Sequence, residues 1–257
     1  MTIIKTVISN FGIIQASDSN VTRSDSREAT SDPKVFPLGF CDAALAYAGS
    51  YRVGEERLNS WMPHCIHDYA SSENPSLRGF AEHLKNCLET GMTENQKTKN
   101  ANLVHIAGYS SDESGIHPEF YFVRNTPGIN PENGTYKQPT SEFHISEDFW
   151  TRDYAASRGQ LSPISYQNYF NGTPDGRIAF YAFDQIFNAY LQDVWGHSTW
   201  KFRPPRSLEE LSSVIELQIR TIGILYSMSD YSAPLIGGEP QIYRIEPPSG
   251  ALVLWGS

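Results

Sequence analysis

A threonine at position 2, an aspartate at 18, a lysine at 34 and a glycine at 49 could together run acyl transfer without a histidine. Methionine followed by a small residue is ordinarily trimmed, so Thr2 is expected to become the amino terminus. A terminal threonine carries a hydroxyl nucleophile and an α-amine on one residue. With an ordinary pKa of about 7.7–8.0, that amine is partly free base at neutral pH. It can take the hydroxyl proton, directly or through water, and return it to the leaving group. A neighbouring lysine would hold the amine's pKa down, and a carboxylate would keep that lysine charged and aimed. Lys34 and Asp18 are expected in these roles. Thr2 to Asp18 is sixteen residues and Asp18 to Lys34 is sixteen more, intervals that two hairpins can fold back to one sheet edge. Gly49 follows a strand at that edge, where its N–H could serve an oxyanion.

More familiar chemistry is missing from the sequence. It holds no GxSxG elbow, no GxGxxG and no P-loop, and its seven histidines sit in no catalytic motif. His64-Cys65-Ile66-His67 invites a metal reading, but no second CxxC or HxxxH supplies further ligands. We expect no metal and no organic cofactor. Three scattered cysteines, Cys41, Cys65 and Cys87, are not a disulfide framework and suit a reducing compartment. With 20 Lys+Arg against 29 Asp+Glu, the net charge of −9 gives no field to hold nucleic acid or anionic lipid. No apolar run approaches the roughly 20 residues of a membrane helix. The start lacks a basic region ahead of a long apolar core, so no secretory signal is expected and the location is read as cytoplasmic. The sequons at Asn20, Asn133 and Asn171 are then incidental.

The elements that must position these residues follow from pattern. β-Branched Ile3 to Ile8 and Gly12 to Ala16 read as strands around an Asn10-Phe11-Gly12 turn, followed by a polar loop from Val21 to Pro33. Lys34 to Leu38 and Ala43 to Ala48 read as two more strands. Helical pattern begins at Val53 and Leu58, is interrupted at Pro63, and resumes as a clean stripe of Leu77, Phe80, Ala81, Leu84 and Leu88 stopped by Gly91. Strands are expected at Leu103 to Tyr109, Glu119 to Val123 and Glu142 to Ile145, and an insertion at about 146–172. Thr173-Pro174 opens a helix with Ile178, Ala182, Phe183 and Ile186 on one face. Ser207 to Glu210 is a capping box for another, carrying Leu211, Ile215, Ile222 and Leu225. Strands at Gln241 to Ile245 and Ala251 to Trp255 close the chain. Hairpins at both ends separated by helix pairs predict one α+β domain over 1–257, a four-layer αββα sandwich of two antiparallel sheets between helix pairs.

At these residues the sequence resembles the proteasome β-subunit family of N-terminal-nucleophile hydrolases, bacterial proteasome-like peptidases included. The family opens with threonine and then a strand ending in Gly-x-x-x-Ala-x-Asp-Ser, here Gly12-Ile13-Ile14-Gln15-Ala16-Ser17-Asp18-Ser19. Its lysine precedes a hydrophobic strand, as Lys34-Val35-Phe36 does, and its Ala-Gly before the first helix is similar to Ala48-Gly49. Its Asp-x-x-Ser and Gly-Gly are similar to Asp230-Tyr231-Ser232 and Gly237-Gly238, although Asp230 and Ser232 stand one residue closer and Ala233 to Ile236 is inserted. The family's Gly/Ser turn before its third helix is replaced by Gly172-Thr173-Pro174-Asp175. The resemblance implies the αββα fold, a peptide or amide substrate, a homo-oligomer or ring, and catalytic roles for Thr2, Asp18, Lys34, Gly49, Asp230 and Ser232. It also implies that Tyr47 and Tyr51 line the first specificity pocket. The alternatives are an inactive scaffold or assembly subunit of this fold that retains Met1, and an amidase acting on a small molecule.

Overall fold

The computed structural model describes residues 2–22, 29–113, 115–130, 132, 135–146, 167–197, 205–228 and 236–251. The chain is α+β, built on two antiparallel sheets. The first sheet centres on the hairpin of β1 (Ile3–Ser9) and β2 (Gly12–Ser17), in register Ile4↔Ser17 to Ser9↔Gly12. On the far side of β1 lies β12 (Gln167–Gly172), and on the far side of β2 lies β13 (Gln241–Ile245), giving the order β12-β1-β2-β13. The second sheet comprises β5 (Val35–Leu38), β6 (Ala43–Ala48), β9 (Leu103–Asp112), β10 (Gly115–Arg124) and β11 (His144–Ser146), ordered β11-β10-β9-β6-β5. Two small hairpins stand apart: β3 (Asn20–Thr22) with β4 (Ala29–Ser31), and β7 (Arg52–Val53) with β8 (Glu56–Arg57).

Every residue of β1, β2 and β6 is buried, because each of these strands has an apolar layer on both faces. Ile4, Ile8 and Ile13 meet Ala44, Ala46, Ala48, Phe120 and Phe122 in a core between the two sheets. The three alanines keep that space thin enough for the sheets to approach. Leu45 and Tyr47 point the other way along β6, as strand alternation requires, into a core with Met62, Phe80, Leu84 and Leu88. Those last four come from α1 (Leu58–Ala70) and α2 (Leu77–Gly91). Ile3, Val7 and Ile14 meet Phe180, Leu211, Ile215 and Ile222 in a third core, supplied by α4 (Pro174–His197) and α5 (Leu208–Ser227). Ser76 and Ser207 cap their helices through bonds from Gly79 N–H and Glu210 N–H.

Several elements depart from expectation. Pro63 does not interrupt α1, which runs from Leu58 to Ala70 with the proline on its exposed side. A short α3 (Glu94–Lys99) forms where none was expected, closed by a capping box between Thr93 and Gln96. The polar stretch from Val21 to Pro33 contains the β3–β4 hairpin. The last six residues of the expected 146–172 insertion are strand β12, paired with β1, while 147–166 lie outside the described residues. On α4 the expected inner face is exposed at Ile178 and Ile186, and Phe180 is buried against the sheet. Leu225, expected on the inner face of α5, is exposed. The final strand falls largely in 252–257, outside the described residues; Ala251 bridges Ile116. Among the described residues no helix is long and apolar enough to cross a membrane.

Candidate active site

Thr2 sits at the start of β1, only 8% exposed, in the wall of a cavity of about 230 Å³. Gly49 and Ala48 from the end of β6, Asn100 and Ala101 beyond α3, and Gly172 and Thr173 at the β12–α4 junction complete most of that wall. The expected nucleophile and the expected oxyanion glycine therefore share one space. Gly49 has φ +155°, and a Cβ there would come within 2.5 Å of Asn102 Oδ1. That asparagine is fully buried; its Oδ1 accepts from Tyr47 Oη (2.6 Å) and Ser50 N–H (2.8 Å), fixing the turn that carries Gly49.

Behind Thr2 lies Asp18, fully buried at the end of β2. Its Oδ1 accepts from the Ile3 N–H (2.9 Å), the amide that follows Thr2, and from Lys34 Nζ (3.1 Å). Its Oδ2 accepts from Gly237 N–H (3.3 Å). One carboxylate thus ties the backbone beside Thr2 to the lysine. Lys34 also donates to Asn20 O (2.5 Å), and its backbone is held by Gln241 Oε1 at 2.7 Å from its N–H. Burial pushes the Asp18 carboxyl up and the Lys34 ammonium down, each opposed by the partner's charge. A lysine so placed is held beside the backbone of Thr2.

Support from the β12–α4 side is present despite the changed turn sequence. Thr173 N–H donates to Thr2 O (3.0 Å), and Thr173 Oγ1 accepts from Gly176 N–H (3.1 Å), capping α4. Gly172 has φ +146°, and any Cβ there would overlap the Thr2 carbonyl. Its N–H donates to Tyr136 Oη (3.1 Å), which donates to Asn171 Oδ1 (3.0 Å). Asn171 Nδ2 then donates to His105 Nε2 (2.8 Å), leaving Nδ1–H to donate to Thr6 Oγ1 (2.9 Å); the Thr6 hydroxyl donates to Gln15 Oε1 (2.8 Å). Hydrogen-bond direction along this chain assigns the neutral Nδ1–H tautomer to His105.

Burial pushes the His105 imidazole down from an ordinary 6.5 to about 3. Unfolded chains take up a proton below pH 6.5 that the folded chain refuses until about pH 3. Stability contributed by neutral His105 is therefore full above pH 6.5 and falls by about 1.4 kcal/mol per pH unit below it. Urea unfolding between pH 7 and 4.5 should show this acid slope, and His105→Gln should flatten it. An unchanged slope in the variant would contradict the buried neutral imidazole.

Two of the remaining expected residues lie away from Thr2. Tyr47 is buried in the core under α1 and α2 and Tyr51 packs beneath Arg57, so neither lines the Thr2 cavity. Asp230 and Ser232 lie outside the described residues. Sequence reasoning missed Asn102, Tyr136 and His105, whose roles arise from pairings across the sheets. The alternation Ala46-Tyr47-Ala48 was a usable signal that Tyr47 faces away from the alanines lining the inter-sheet core. The chain matches no protein-family model and no curated protein.

Proposed function

We propose that this chain is a threonine-type N-terminal-nucleophile hydrolase of amide or peptide bonds, with the proteasome β-subunit-like αββα fold, active once Met1 is removed. The three apolar cores, one between the sheets and one beneath each helix pair, support the four-layer reading. The observation that carries the function is Asp18 Oδ1, which bonds the amide beside Thr2 and Lys34 together.

Thr2 Oγ1 attacks the carbonyl carbon of the scissile amide while the α-amine takes its proton. Gly49 N–H stabilises the oxygen that gains the negative charge. The amine returns the proton to the leaving nitrogen, the C–N bond breaks, and an ester on Thr2 remains. Water, deprotonated by the same amine, attacks that ester; the acid departs and Thr2 is regenerated. Lys34 keeps the amine in its free-base form, and Asp18 keeps Lys34 in place.

Lys34→Met tests this division of labour. Without the cation the amine's pKa rises, so the acid limb of kcat/KM should move to higher pH by on the order of one unit. Activity at neutral pH should fall by up to about tenfold. An unmoved pH profile with normal activity would count against amine tuning by Lys34.

A further inference from the structure

On the far side of the five-stranded sheet from the Thr2 cavity, Cys65 of α1 converges with His83 and Cys87 of α2. One ligand atom from each lies within 4.8 Å of the others. His83 and Cys87 are four residues apart and share one helix face, with Cys87 Sγ 3.4 Å from His83 Nε2. A tetrahedral zinc ion, with bonds of about 2.3 Å to sulfur and about 2.0–2.1 Å to nitrogen, holds such a pair about 3.6 Å apart. The pair thus already stands near that span. Cys65 is buried while His83 and Cys87 are partly exposed, so the cluster is closed on its inner side and open outward.

We propose that Cys65, His83 and Cys87 bind one divalent zinc-type ion, with the outward fourth position taken by water. Two thiolates and one imidazole are soft and borderline donors of the kind such ions select. Two thiolates also neutralise the ion's charge, which suits a site with one ligand buried. On binding, each thiol yields its proton to solvent, so one ion replaces two protons and nothing is oxidised. His83 Nε2 and Cys87 Sγ stand at hydrogen-bond distance, and the His83 ring packs on Tyr69, so imidazole and thiol are held facing each other. A bound ion would pin α1 to α2.

The test is titration of the reduced, metal-free full chain with Co²⁺. One equivalent should produce thiolate-to-cobalt charge-transfer absorption, which Zn²⁺ abolishes. Zn²⁺ should also protect Cys65 and Cys87, but not Cys41, from iodoacetamide. Both Cys87→Ser and His83→Gln, checked for native circular dichroism, should weaken the Co²⁺ spectrum at least tenfold at equal metal. Absence of charge transfer in the folded wild type would overturn the site. So would an undiminished spectrum in both variants, or a Cys65–Cys87 disulfide in a chain that takes up no metal when reduced.

Discussion

Thr2→Ala removes hydrolytic turnover and all reaction with an electrophile that needs a terminal threonine, while leaving the fold in place. Loss of a nucleophile that acts as one unit with its base costs on the order of 10³-fold or more in kcat. Stability should hardly change. The Thr2 carbonyl bond from Thr173 N–H and the Ile3 N–H bond to Asp18 are made by the backbone and survive the substitution. Thr2→Ser keeps a hydroxyl and an amine and should retain labelling at a reduced rate. Turnover of Thr2→Ala at the wild-type rate would mean that another group performs the attack.

Asp18→Ala has the largest expected effect on stability. The substitution strands the Ile3 and Gly237 N–H groups and leaves the Lys34 ammonium buried without its counter-charge. Breaking a buried pair by removing one partner costs about 3–5 kcal/mol, mostly the penalty of the orphaned charge. For a chain of this size that is a fall in Tm of roughly 6–20 °C. Asp18→Ala with Lys34→Met removes the stranded ammonium, so the double variant should be more stable than the sum of the two single losses. Strict additivity in denaturant unfolding would show that the two side chains are uncoupled, contrary to their 3.1 Å contact.

What the sequence made legible was local. The Ile-rich β1–β2 hairpin, the apolar stripe of α2 and the Ser207 cap of α5 are written in adjacent residues, and each forms as its pattern requires. The spacing of Thr2, Asp18 and Lys34 was legible for the same reason, since two short hairpins return the chain to one edge. β12 was not, because Gln167–Gly172 alternates weakly and becomes a strand by pairing with β1, more than 150 residues earlier. Pro63 misled because tertiary burial of Leu58, Met62, Cys65 and Ile66 outweighs one lost backbone bond. Phe180 faces inward in place of Ile178 because α4 is oriented by its contact with β12, including the stacked Phe170–Phe180 rings. The chain from Gly172 to His105 crosses both sheets and left no short-range mark.

Every catalytic role assigned above requires Thr2 to present a free amine and hydroxyl together. The most direct measurement is therefore the intact mass and fragment map of the chain purified from its native host, before and after incubation with an epoxyketone. The expected result is a chain lacking Met1 that gains a single adduct, mapped to Thr2 and bridging its Oγ1 and α-amine, with no adduct in Thr2→Ala. Met1 retained on every molecule, or an adduct that persists in Thr2→Ala, would contradict the threonine-nucleophile reading.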